Sequence, residues 1–77
     1  MRLDRLARGR PAKVQAVGGA DPQLEAKLRE VGFAEHDEVE VVHFGPLGAT
    51  PICVRLNQTL IALRAEEAAS IEVKDGL

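Results

Sequence analysis

His36, His43 and Cys53 are the only soft metal ligands in the chain. Imidazole and thiolate suit zinc or ferrous ion, but zinc frameworks place several Cys and His at short regular spacings. No such spacing joins these three. Cys53 as a nucleophile needs a base and an orienting group beside it, and the sequence around it supplies neither. Glu66-Glu67 are paired carboxylates in sequence only, because adjacent helical residues do not face each other; they read as acids at a helix start. Gly18-Gly19 precedes a helix as a phosphate loop does, but it lacks the Gly-Lys-Ser/Thr ending, and Asp21 would repel phosphate. The residues therefore predict no catalysis, no cofactor and no metal site.

Composition narrows the remaining roles. With 77 residues and 8.3 kDa the chain forms one domain, 1–77, with a core over about 3–74. It is 45% hydrophobic and 29% charged, a balance that folds rather than staying disordered. No apolar run approaches the ~20 residues of a membrane span. Met1–Arg10 carries four arginines and no apolar stretch behind them, so no signal peptide is expected. One cysteine cannot close an internal disulfide, which favours a reducing, cytoplasmic setting. Phe33 and Phe44 are the only aromatics. Base stacking and proline-rich peptide docking both want more rings than that. A net charge of −2 and pI near 5.6 also argue against nucleic acid as partner.

The elements follow from pattern. Leu3 and Leu6 precede Gly9-Arg10-Pro11 and read as one helical turn or an arm. Ala12–Val17 alternates, with Val14 and Ala16 predicted on one face. Asp21-Pro22 opens a helix with a capping carboxylate and a proline that sacrifices no bonded donor. Leu24, Leu28 and Val31 form its apolar stripe, and Gly32 ends it. Glu38–Phe44, Ile52–Leu56, Leu60–Arg64 and Ile71–Lys74 read as strands. Gly45–Pro51 is a loop, Asn57-Gln58 a turn, and Ala65–Ser70 a short helical turn. Five short strands with short connections cannot make parallel crossovers. The prediction is a mainly β fold: a small antiparallel barrel with one α-helix after the first strand and a helical turn before the last.

Register fixes the faces. If Val41 opposes Val54, then Val39 opposes Leu56 and all four point inward, while Glu40 meets Arg55 outside. A slip of one residue would bury Glu40. This register also predicts Val42 opposite Cys53 on the outside, with Phe44 beside them and His43 inward. Val42, Phe44 and Cys53, with Leu47 on the neighbouring loop, then form an outward apolar strip that serves a protein partner.

The motifs in order resemble the FeoA family over about Leu3 to Val73. They are Leu3, Leu6, Gly9, Ala12 and Val14; Leu24 to Leu28, then Val31-Gly32-Phe33; Val39-Glu40-Val41-Val42; Pro46-Leu47-Gly48; Pro51-Ile52-Cys53-Val54; Ala62-Leu63-Arg64; Glu66-Glu67-Ala68; and Ile71-Glu72-Val73. The resemblance implies an SH3-like barrel. It also implies a non-catalytic accessory role in bacterial ferrous iron transport, by contact with the cytoplasmic part of the FeoB transporter. The same barrel ends iron-dependent repressors, so the alternative is a stand-alone regulatory domain that senses metal or a protein. Three departures from the family stand out: His36 replaces a turn glycine, Asn57-Gln58-Thr59 replaces Asn-Gly-Tyr, and the loop after Pro46 is one residue longer. The first two require non-glycine residues at unusual backbone angles, or different turns. Phe44→Asp or Leu47→Asp is expected to spare the fold and abolish partner binding.

Overall fold

The computed structural model describes residues 1–77, the side chain of Ala49 excepted. A 3-10 turn at Leu3–Arg5 leads to strand β1 (Ala12–Val17), helix α1 (Pro22–Val31), and strands β2 (Glu38–Gly45), β3 (Ala49–Leu56) and β4 (Thr59–Leu63). Helix α2 (Ala65–Ala69) and strand β5 (Ile71–Asp75) complete it. The five strands form one sheet in the order β4-β3-β2-β1-β5, and every pairing is antiparallel. The expected mainly β fold is therefore the observed one. The ladder itself stays open, since β4 and β5 are its two end strands. Beyond β5 the Val73 N–H donates to the Met1 carbonyl at 2.7 Å, and Arg2 bridges Glu72, so the amino-terminal arm occupies that edge.

Local chemistry explains α1. The Asp21 carboxylate accepts from the Gln23 and Leu24 N–H groups at 3.0 and 3.3 Å, and Pro22 takes the first turn. Gly32 closes the helix, donating to Arg29 and Leu28 carbonyls, and buried Phe33 covers the last turn. The predicted stripe is narrower than expected. Leu28 is buried and Leu24 packs against the core, but Val31 is 44% exposed.

One aliphatic core joins both ends of the sequence. Leu3 and Leu6 of the arm meet Val14, Val39, Val41, Val54, Ile71 and Val73, all nearly without solvent contact. Two bulges adjust which side chains join it. In β1 the pairing shifts between Val14 and Ala16. The extra residue Gln15 leaves Ala16 exposed and turns Val17 inward opposite Ile71, which corrects the expected Val14–Ala16 face. In β2 the shift falls between Val41 and His43. The loop is also shorter than predicted: Gly45 pairs with Ala49, leaving Pro46–Gly48 as the connection. Gly45 lies so close to the Thr50 carbonyl and Pro51 nitrogen that any Cβ there would overlap them. Of the two turns that lost a glycine, the first keeps a left-handed residue at the substituted position, His36 at φ 76°, whereas in the second the left-handed residue is Asn57 at φ 55°, not the Gln58 that replaces glycine.

Candidate functional site

The outer face of the β2–β3 hairpin was the expected partner surface. Its inner half has the expected register: Val39 faces Leu56, Glu40 faces Arg55 and Val41 faces Val54. All four aliphatic side chains are buried, and the Arg55 guanidinium lies 3.8 Å from the Glu40 carboxylate on the solvent side. Beyond Val41 the register changes. Val42 is the extra residue of the bulge, His43 stands opposite Cys53, and Phe44 stands opposite Ile52.

This overturns three placements, the first being Val42 opposite Cys53, whose partner is His43 instead. Phe44 does not lie on an outer strip; it points with Ile52 toward the interior and packs against the core, half-buried. His43 does not point inward; it is exposed and shares the outer face with Cys53. The cause is the size and polarity of the two side chains. Strict alternation would have buried an imidazole and left a phenyl ring in water, and one extra residue exchanges them.

The remaining surface is smaller and more polar than the predicted strip. Cys53 is a half-buried free thiol flanked by His43 on β2 and Ala62 on β4. Val42 is half-buried beside it. Leu47, at the hairpin tip, is 78% exposed, and the Thr50 N–H closes the turn onto its carbonyl at 3.2 Å. Leu60, opposite Arg55 on end strand β4, is 60% exposed. Sequence reasoning missed Leu60; its signal was a leucine paired outward against a charged residue.

The other candidates separate. His36 sits across the molecule, against β1, where its N–H donates to the Val14 carbonyl at 2.8 Å. Among the described residues no group of three or more His, Cys, Asp or Glu is placed to hold a metal ion. Gly18 packs against the backbone of Glu25, where a Cβ would collide, so the glycine pair serves the approach of α1. Glu66 and Glu67 diverge. Glu66 is exposed, whereas the buried Glu67 carboxylate accepts from the Arg64 N–H at 2.8 Å and meets Lys27 of α1 at 2.6 Å. The Lys27 ammonium, helped by the Arg64 N–H, holds the Glu67 carboxyl below its ordinary pKa. Its work is to tie α2 to α1.

The FeoA domain family matches residues 1–75. The chain belongs to that family. Iron(II) transport protein A of Clostridium thermocellum, in solution, is 36% identical with a TM-score of 0.87, over 97% of this chain and 45% of its own. The FeoA chain thus spans under half the length of that relative. Stenotrophomonas maltophilia FeoA complexed with zinc, described as a procaryotic SH3 domain protein, is 34% identical with a TM-score of 0.82, over 96% of this chain and 89% of its own. A manganese-dependent transcriptional repressor reaches a TM-score of 0.86 at 21% identity, over 99% of this FeoA chain and 36% of its own; that likeness is one of fold. No curated protein sequence matches significantly. Among the described residues no helix is long and apolar enough to cross a membrane.

Proposed function

We propose that this FeoA-family domain is a non-catalytic, cytoplasmic accessory protein of bacterial ferrous iron transport that acts by binding the cytoplasmic part of the FeoB transporter. Family membership supports the pathway, as does the Stenotrophomonas maltophilia relative, described as possibly acting as a ferrous iron transport activating factor. The observation that carries the contact is Leu47. A leucine 78% exposed at the tip of a glycine-closed turn contributes nothing to the core, and such a side chain suits a partner's apolar pocket. Val42 and Cys53 extend the same face at half burial. Phe44 acts from beneath, holding the strand that carries them.

A pull-down with the transporter's cytoplasmic part tests this. Wild type is retained, and Leu47→Asp, which leaves thermal unfolding unchanged, loses retention at least tenfold. A folded Leu47→Asp that is retained normally removes the loop from the contact.

A second reading is a regulatory domain related to the repressor barrel. The cross-strand pair His43–Cys53 favours it, since two soft ligands face the same way. Calorimetry with ferrous or zinc ion separates the readings: the accessory role predicts only weak surface binding, whereas a sensor binds tightly and loses that binding in Cys53→Ala.

A further inference from the structure

Two local rules are broken at one place. Lys13 of β1 and Lys74 of β5 stand directly opposite each other, a like-charge pairing that destabilises a sheet. Among the described residues neither lysine forms an ion pair, while the chain's third lysine, Lys27, is held by Glu67. Glu38 faces Lys13 from β2 without pairing to it. The other nearby carboxylates are engaged: Glu35 by Arg29, Asp75 by Arg10, Glu72 by the Met1 amino group, and Asp37 by the Ala34 N–H. Beside the two lysines, His36 is held at φ 76°, a conformation that favours glycine.

Both departures line one hollow. It measures about 370 Å³ and is walled by Lys13, Val14, Gln15, His36 and Lys74. That is the size of small-molecule sites. Gln15 is there because the β1 bulge leaves it unpaired in the ladder. Conformational and electrostatic cost concentrated at a concavity points to a ligand that repays it. The ammonium groups also indicate which ligand. Two ammonium groups side by side call for an anion of two charges, which a phosphate supplies and a single carboxylate does not, and each ammonium acts as a compact point charge on the phosphate oxygens.

We propose that the hollow between β1, β5 and the His36 turn binds a phosphorylated small molecule, its phosphate seated between Lys13 and Lys74 with His36 at the rim. This site is separate from the hairpin face and does not depend on the transport reading.

Titration of the isotope-labelled protein with ADP, pyrophosphate and adenosine, at low salt, tests it through amide chemical shifts. ADP and pyrophosphate should bind and move the amides of residues 13–15, 36 and 74 together, with adenosine at least tenfold weaker. Lys13→Gln and Lys74→Gln should each weaken ADP about tenfold while unfolding at the same or a higher temperature, because the repulsion is gone. His36→Gly should raise the unfolding temperature and weaken ADP; a merely structural histidine would not link those two changes. The proposal fails if neither phosphate compound binds, if adenosine binds as well as ADP, or if the shifts centre on Arg5, Arg8 or Arg64. It fails equally if the lysine variants bind like wild type.

Discussion

The two ends of the β2–β3 hairpin obey different rules. From Val39 to Val41 the side chains alternate as the sequence does, and each meets the partner that alternation assigns. From Val42 to Phe44 the alternation fails by one residue. The backbone is the same kind of strand in both halves; what differs is what alternation would bury. In the first half it buries valines. In the second it would bury His43 and expose Phe44. Strand β1 repeats the lesson, since its bulge at Gln15 puts Val17 rather than Ala16 into the core. Both bulges exchange a poor core residue for a larger apolar one. Removing apolar surface from water gains roughly 25 cal/mol per Å², so even the partial burial of the Phe44 ring offsets one unpaired residue in a ladder.

Phe44→Asp gives the largest expected effect and breaks this comparison most directly. The sequence alone makes Phe44 a surface residue whose loss spares the fold. Packed against the core opposite Ile52, an aspartate there should cost about 3 kcal/mol or more, read as urea or thermal unfolding. A Phe44→Asp protein as stable as wild type would restore the unbulged register.

Neighbouring residues on β3 sharpen the contrast. Val54 has no solvent contact and Cys53 is half-buried on the opposite face. Val54→Ala should cost about 2 kcal/mol, and Cys53→Ala less than about 1 kcal/mol. Equal costs would mean that the outer face is as tightly packed as the inner one.

Most of the fold was legible because strong local signals coincided. Asp21-Pro22 and Gly32 bounded α1, valine alternation located β2 and β3, and Glu40 against Arg55 fixed their register by excluding a buried carboxylate. What stayed hidden depended on competition between distant groups. No pattern within Val41–Phe44 states that a phenyl ring will displace an imidazole; that is decided by the interior space beside Ile52. Val31 likewise fits the apolar stripe of α1 by spacing, and only the packed molecule leaves it 44% exposed. The candidate site was legible in part: Leu47 and Cys53 lie outward as read, while the Lys13–Lys74 opposition needed the β1–β5 pairing, which joins the two ends of the chain.

Glu67 lies outside the hairpin and sets a scale for a buried polar tie. Its folded pKa is lowered by Lys27 and the Arg64 N–H. Between that value and the ordinary one the unfolded chain binds more protons, so stability rises with pH. The contribution is complete above the ordinary carboxylate range of about 4.3 and disappears as pH falls through the folded value. Glu67→Gln should cost about 1 kcal/mol at pH 7 and nothing at strongly acid pH, so the two unfolding curves converge on acidification. Parallel curves would show that the carboxylate's charge is not what ties α2 to α1.

Arg55→Ala should have the smallest effect, and its smallness is informative. Glu40 and Arg55 were decisive for register, yet they stand 3.8 Å apart with the guanidinium half in solvent. Exposed pairs of this kind contribute about 0.5 kcal/mol or less and are screened by salt. The variant should unfold within about that margin of wild type, and the difference should vanish in molar salt. The pair can still set register, because the alternative it excludes is a buried, unpaired Glu40, which costs several times more. A large loss in Arg55→Ala would mean that attraction across the strands holds the hairpin in place, instead of the penalty for burying the carboxylate.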